Sequence, residues 1–526
     1  MVIRKPTKLY NRSREFDRLE EAYRHRTFCL ISGEPGTGKT SLALSLRDRV
    51  QQDGGYFVCG KFNQSQSRSP YPAMVSAFTE FAQQVEERGQ VEEMRRRIQA
   101  AIQTEGNLLT AMIPALKNLV GDQQHTTVLG EKAIARFVFV FRAFLLAIAS
   151  PEVPIVICVD DIQWADPCSL LLMASLIPST SDRGIFFVAT SRNNVDHDSI
   201  LSSMLRDLER EKVHICHISL KNLPHEAVTE MLMDMLCLNP QDADSLSEYL
   251  QSYTNGNILF LQELLGCLQD EGLLTEIDQS NWGFSGGALR REIVSLQQLL
   301  REKMRELPLP VQEVLKIAAF LQGGSKVDED LLFRLTSTPV RECLQVAADR
   351  HLLVLEGDSY RWIHDEMEAA AYALVDPELV EETHLAIGRK LWKSMDEDEL
   401  KQNIFVVLNQ LMRAVDLIET QHERNAVASL CLWAGETAAR SSTFGTARVY
   451  LDLGLELLGN DQWRNQYELT IALHDLTAEC AYCVGGKSYA ALKIKSSNSP
   501  STHNKSLITP SIFVNKFSVI AEACKT

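Results

Sequence analysis

Residues 33–41 read Gly-Glu-Pro-Gly-Thr-Gly-Lys-Thr-Ser, which brings flexible backbone, one ammonium and adjacent hydroxyls within reach of a single polyanion. Gly33, Gly36 and Gly38 let backbone N–H groups turn inward, with Glu34, Pro35 and Thr37 completing the loop. A helix that begins here adds positive potential at its N-terminus. The run satisfies G-x-x-x-x-G-K-[ST] in full. Lys39 is therefore expected to reach the outer phosphates of a nucleoside triphosphate, with the Thr40 hydroxyl ligating Mg²⁺ and Ser41 opening the helix. Such a loop needs a facing carboxylate, and Asp160 and Asp161 supply it within PIVICVDDIQWAD (154–166). Asp160 is assigned to the Mg²⁺ shell, and Asp161, together with Lys39, to the chemical step, orienting or deprotonating an attacking water. A third apolar run, 184–189, ends in Thr190-Ser191-Arg192. There Thr190 would sense the terminal phosphate and Arg192 would meet phosphate or a neighbouring element, the alternative for both being solvated loop chemistry.

These residues need rigid elements behind them. Phe28-Cys29-Leu30-Ile31 is a short apolar run of buried-strand type, and an amphipathic helix with Leu42, Leu44, Leu46 and Val50 follows the loop. Ile155–Val159 is uniformly apolar, as a parallel strand covered on both faces must be. Ligands of open parallel sheets bind at the carboxyl ends of the strands, which is where Asp160 falls. The expected fold is an α/β P-loop sheet flanked by helices. Phe137–Ala149 is apolar but carries Arg142, and it falls short of the ~20 residues a membrane span needs. It reads as a buried helix.

Composition narrows the functional classes. With 45% hydrophobic and 23% charged residues, the 526-residue chain is globular and long enough for about three domains. A net charge of −16 disfavours phosphate backbones, so nucleic acid is not an expected partner. The cysteines sit singly in apolar runs, as reduced core thiols do, and Cys480 with Cys483 reads as helix packing. The start lacks an apolar signal segment, so the expected location is soluble and cytoplasmic, with no membrane partner. Residues 292–395 read as helices broken at Pro308 and Pro310, then a strand pair at 351–355 and 359–363, a winged-helix pattern with mixed charge. His364-Asp365 reads as a capping or core pair after that wing. Small and large residues (Ala434, Ala438, Ala439, Ala447, Tyr450, Leu451, Leu455) give 398–484 a tetratricopeptide-like spacing. From 487 on, six lysines and Ser/Asn/Thr clusters mark a divergent, largely disordered tail. No H-R-D-x-x-x-x-N or D-F-G string occurs, so any kinase output must come from another polypeptide.

Taken together, KLYNRSREFDRL, GEPGTGKT, VDDIQWADPCSLLLMASL, FFVATSRNNV and YTNGNILFLQELLGCLQDEGLL resemble the origin-recognition-complex-like AAA+ ATPase module of the STAND class. The likeness is nearest to the ATPase segment of multidomain Ser/Thr-kinase–sensor histidine kinase proteins, whose signatures appear at Gly55–Phe78, Tyr360–Val375 and His384–Leu391. It implies ATP and Mg²⁺ as cofactors. Arg12 matches an arginine near the adenine or ribose, and Asn257 a Gly-Asn-Pro element that closes over the nucleotide. Asn11 stands where the family has glycine, and Ile258 where it has proline. The implied layout is an ATPase domain (1–220), a helical lid (221–290), a winged-helix-like domain (291–395), a tetratricopeptide-like region (396–484) and the tail (485–526). The implied function is a signal-transduction ATPase acting as a nucleotide-dependent switch or scaffold with slow hydrolysis. Its partners would be kinase, histidine-kinase or cyclase components, or a second copy of the chain. A DNA-associated ATPase and a truncated nucleotide-binding fragment are the alternatives.

Overall fold

The computed structural model describes residues 8–62, 71–103, 105–121, 133–180, 183–193, 199–278, 281–285, 295–321, 327–357, 359–441, 443–459 and 462–483. The expected tail (485–526) lies outside them, as do residues 63–70 of the Gly55–Phe78 signature.

Five strands, β1 (Cys29–Gly33), β2 (Tyr56–Lys61), β3 (Ile155–Asp160), β4 (Ile185–Ser191) and β5 (Cys216–Leu220), form one parallel sheet in the order β2-β3-β4-β1-β5. Side chains alternate between its faces. Val156 and Cys158 of β3 join Ile31, Val188 and, from the first helix (Ser13–Arg24), Leu19 and Tyr23. Ile155, Ile157 and Val159 instead meet Phe78, Phe81, Phe141 and Phe144. With both faces covered, every residue of β3 and β4 is buried, which is why these segments read as unbroken apolar runs. The expected helix at 137–149 is Ala133–Ile148. It stacks Phe141 and Phe144 edge-on to Phe78 at 5.4 Å, while Phe139 faces out.

The helix expected after the phosphate loop comes in two pieces, Lys39–Leu44 and Arg47–Gln52. The Ser45 hydroxyl donates to the Leu42 carbonyl (2.7 Å), and Leu46 N bonds three residues back to Ala43 O. A serine that hydrogen-bonds its own turn competes with the regular ladder and bends the helix there.

The remainder is largely helical. His225–Leu236, Pro240–Thr254 and Ile258–Asp270 pack together with Tyr10, followed by the hairpin β6 (Leu274–Asp278) and β7 (Asn281–Phe284). Helices Leu309–Leu321, Glu329–Leu335 and Val340–Asp349 precede a second hairpin, β8 (Leu353–Glu356) and β9 (Ser359–Trp362), close to the expected strand pair. One continuous core then runs from these helices to Tyr467–Cys483, where Cys480 and Cys483 are buried. Close helix approach there depends on glycine, since a Cβ on Gly435 would stand 2.5 Å from Leu451 Cδ2. Among the described residues no helix is long and apolar enough to cross a membrane.

Candidate nucleotide site

The phosphate loop leaves β1 at Gly33 and turns through positive φ at Gly36 (+80°) and Gly38 (+91°), which only glycine adopts without strain. Space decides as much as φ. A Cβ on Gly36 would lie 2.4 Å from Asn257 Oδ1 and 2.8 Å from Leu259 Cβ. Lys39 is buried, and its ammonium donates to the carbonyls of Gly33 (3.1 Å) and Glu34 (2.9 Å) within its own loop. Burial holds the Lys39 pKa below its ordinary value, opposed by the charges of Asp161 and Asp160. Thr37 Oγ1 donates back to Glu34 O (2.8 Å), fixing the turn, and Glu34 itself is exposed.

Across the loop, Asp160 ends β3 and accepts from Thr40 Oγ1 at 2.9 and 3.1 Å. The two residues expected to share a cation are therefore adjacent. Burial and the neighbouring Asp161 charge raise the Asp160 pKa. Asp161 adopts φ +56°, a left-handed turn that a non-glycine residue holds only where its surroundings compel it. Its amide donates to Thr190 Oγ1 (2.9 Å), and that hydroxyl donates to Asp160 Oδ1 (2.5 Å). Thr190 is thus fully buried behind the carboxylates and does not face the cavity. This follows from strand order, because β4 lies between β1 and β3. Burial pushes Asp161 upward, yet Lys61 and a hydrogen bond from Gln163 bring it net below the usual carboxylate range.

The Gln-Trp-Ala-Asp string (163–166) anchors the acidic turn. Gln163 donates to Asp161 Oδ1 (2.8 Å) and accepts from the Arg192 amide (3.1 Å), tying the end of β4 to the acidic turn. The Arg192 guanidinium lies over the Trp164 ring at 5.8 Å. Asp166 accepts from Ser169 N (3.0 Å), starting the helix Pro167–Thr180.

Arg12 and Asn257 brace the loop from outside. Arg12 is 5% exposed and donates to Thr37 O (3.4 Å) and Lys221 O (2.5 Å), so it joins the loop to the end of β5 and does not line the cavity. Asn11 beside it has φ +49°, the left-handed geometry expected where the family pattern has glycine. Asn257 Nδ2 donates to Pro35 O (2.7 Å), while its Oδ1 accepts from Phe260 N (3.2 Å) as the cap of Ile258–Asp270. Ile258 occupies the first helical position, where proline would also fit, and its side chain lines the cavity.

That cavity, of about 150 Å³, is lined on one side by the loop with Lys39, Thr40 and Ser41, and on the other by His364, Asp365 and Glu366. Sequence reasoning missed this far wall. Lys61, at the end of β2 and in register with Asp160, pairs with Asp161 (3.5 Å) and with Asp365. Arg192 reaches Glu366 at 3.4 Å, the neighbouring-element alternative for that residue. His364 sits at the N-cap of Asp365–Tyr372, but its side chain makes no capping bond and instead lines the cavity. Burial and the Asp161 charge raise Asp365 to about 6 against the pull of Lys61, and burial with Asp365 raises Glu368 to about 8. Lys61 stays charged because Asp365, Asp160 and Asp161 outweigh its burial.

A parallel sheet whose first strand runs through a glycine loop into a helix N-terminus, facing an aspartate on another strand, defines a P-loop nucleotide-binding fold. Within it, residues 8–188 match the family model of the AAA ATPase domain, and this stretch is such a domain. The chain is 23% identical to hybrid signal transduction histidine kinase G of Dictyostelium discoideum, over 92% of this chain and 18% of that protein's length. Among solved structures it is similar to a STAND protein with a tetratricopeptide repeat sensor from Pyrococcus horikoshii (15% identity, 94% of this chain and 64% of that one, TM-score 0.44). It is also similar to the ORC2 protein of Aeropyrum pernix (13% identity, 74% and 96%, TM-score 0.35).

Proposed function

We propose that the chain binds ATP with Mg²⁺ and works as a nucleotide-dependent switch in signal transduction. The observation that carries this reading is the pairing of Lys61 and Arg192 with Asp365 and Glu366. Two cations at the mouth of the phosphate cavity are held by carboxylates from a helix far downstream in the chain. A terminal phosphate would attract the same cations, so ATP and the downstream helix compete for them.

The residues present fit the ligand. Glycines at positive φ let amides converge, Lys39 donates to loop carbonyls, and Thr40 with Asp160 offers two oxygen donors of the hard type Mg²⁺ prefers. Mg²⁺, when bound, would neutralise charge on the phosphates. Lys39 would hold the outer phosphates, and Asp161, kept ionised by Lys61, would orient a water. Thr190 would fix both carboxylates, and Arg12 and Asn257 would hold the loop in shape. We read 1–220 as the ATPase domain, 221–290 as the lid, 291–395 as winged-helix-like and 396–484 as a tetratricopeptide-like arm toward partners. Histidine-kinase-type components are the partner class indicated by the relative's name.

The test is ATP affinity measured by calorimetry in Asp365→Asn/Glu366→Gln, which removes the competing charges without changing side-chain size. Tighter ATP binding by about 5–150-fold is expected, the usual range of coupling between sites. Unchanged affinity would sink the competition.

A further inference from the structure

The sheet carries two pairs of cysteines set opposite one another. Cys29 is in register with Cys216 across β1 and β5, and Cys59 with Cys158 across β2 and β3. Residues paired in register on parallel strands point to the same face. Adjacent strands lie about 4.8 Å apart, inside the Cα separation of about 4.4–6.8 Å that a disulfide spans. The spacing alone suits either pair, and their surroundings separate them.

Cys216 opens the edge strand β5 and is partly exposed, while Cys29 beneath it is fully enclosed by Leu19, Ala22 and Tyr23 of the first helix. Cys29 faces Cys216 in register, and Arg18 is anchored alongside, its guanidinium bonded to His217 O at 2.7 Å. The adjacent Cys29 thiol, with the Arg18 guanidinium adding positive potential, brings the Cys216 thiol down to about 6 against its partial burial. Thiolates favoured in this way are the ones that react with oxidants. Cys59, on the opposite edge strand β2, is likewise partly exposed, but its amide is held at 2.8 Å by the Glu80 carboxylate, which sets negative charge beside it.

We propose that Cys216 and Cys29 form a redox-active dithiol that responds to hydroperoxides, with Cys216 the attacking sulfur and Cys29 the resolving one. The Cys216 thiolate attacks a peroxide oxygen, so an S–O bond forms as the O–O bond breaks and hydroxide or alkoxide leaves. The Cys29 sulfur then attacks the resulting sulfenic acid. The S–S bond forms, the S–O bond breaks, and the departing hydroxide leaves as water with the Cys29 proton. The two sulfurs together lose the two electrons that the peroxide gains. The bond would join the edge strand to the strand that carries the phosphate loop, four residues before Gly33.

The experiment treats the full chain with hydrogen peroxide, alkylates the remaining thiols and maps peptides without reduction. A cross-linked peptide joining Cys29 to Cys216 is expected, in excess of any Cys59–Cys158 product and reversed by dithiothreitol. Mapping the unaltered chain needs no variant to fold. Cys216→Ser, at the partly exposed position, should abolish the cross-link, and Cys29→Ala should leave Cys216 as a sulfenic acid trapped by dimedone. Two results would overturn the proposal: Cys216 driven to the sulfinic acid with Cys29 still alkylatable, or neither cysteine modified.

Discussion

Thr190 serves two neighbours with one hydroxyl, accepting from the Asp161 amide and donating to Asp160. Replacing it with valine keeps the shape and removes both bonds, leaving a buried N–H without an acceptor. Such orphans cost about 1–3 kcal/mol. Thr190→Val should lose that much in denaturant unfolding while Thr190→Ser loses little, and equal stability of the two would remove the hydroxyl from the account. At Lys39 the effect is read through ligand linkage. Mg-ATP at ~100 times its Kd should stabilise the chain by about 2.7 kcal/mol, and Lys39→Ala should erase the shift in thermal unfolding. A retained shift would mean that the nucleotide binds elsewhere. Asp161→Asn should leave binding intact and slow phosphate release, so equal turnover would exclude that carboxylate from the chemical step. Residue types and spacing made the loop and the two aspartates legible in advance. The inward turn of Thr190 was not, because it depends on β4 lying between the loop strand and the acidic strand, and local sequence does not encode strand order.

At the scale of elements, Asn257 joins the helix Ile258–Asp270 to the phosphate loop. Its side chain caps Ile258–Asp270 and holds Pro35 O, so Asn257→Ala removes a cap worth about 1 kcal/mol and also frees the loop. The expected result is a lower unfolding midpoint together with weaker ATP binding. A loss of stability alone would show that the loop does not depend on this bridge. Elements with a strong apolar signal were readable from sequence: β3 and β4 because both faces are covered, and β8–β9 because the strands flank a short turn. The bend at Ser45 was not readable, since Leu42, Leu46 and Val50 keep a helical spacing through it and only a hydroxyl bonded to its own turn breaks the ladder.

Across the whole molecule, the least legible features join residues hundreds of positions apart, as Lys61 and Asp365 do, because no pattern within a segment announces a partner that distant. A second long-range node lies deeper, at His384. Its imidazole is 1% exposed, with Nδ1 2.6 Å from Gln410 Oε1 and Nε2 3.0 Å from the Tyr372 hydroxyl, and Gln410 donates onward to Phe320 O. Four helices are joined through this ring. Burial lowers its pKa below the ordinary 6.5, more than the Gln410 bond raises it. The unfolded chain therefore takes up the proton first as pH falls. Stability tied to His384 is complete above about 6.5 and is lost progressively as pH drops from there toward the folded value. The unfolding midpoint should accordingly fall with acidification beginning near 6.5, and His384→Asn should flatten that part of the profile. A variant as steep as the parent would mean that the proton enters elsewhere, and that the helices on either side are held together by packing without this ring acting as their pH-sensitive joint.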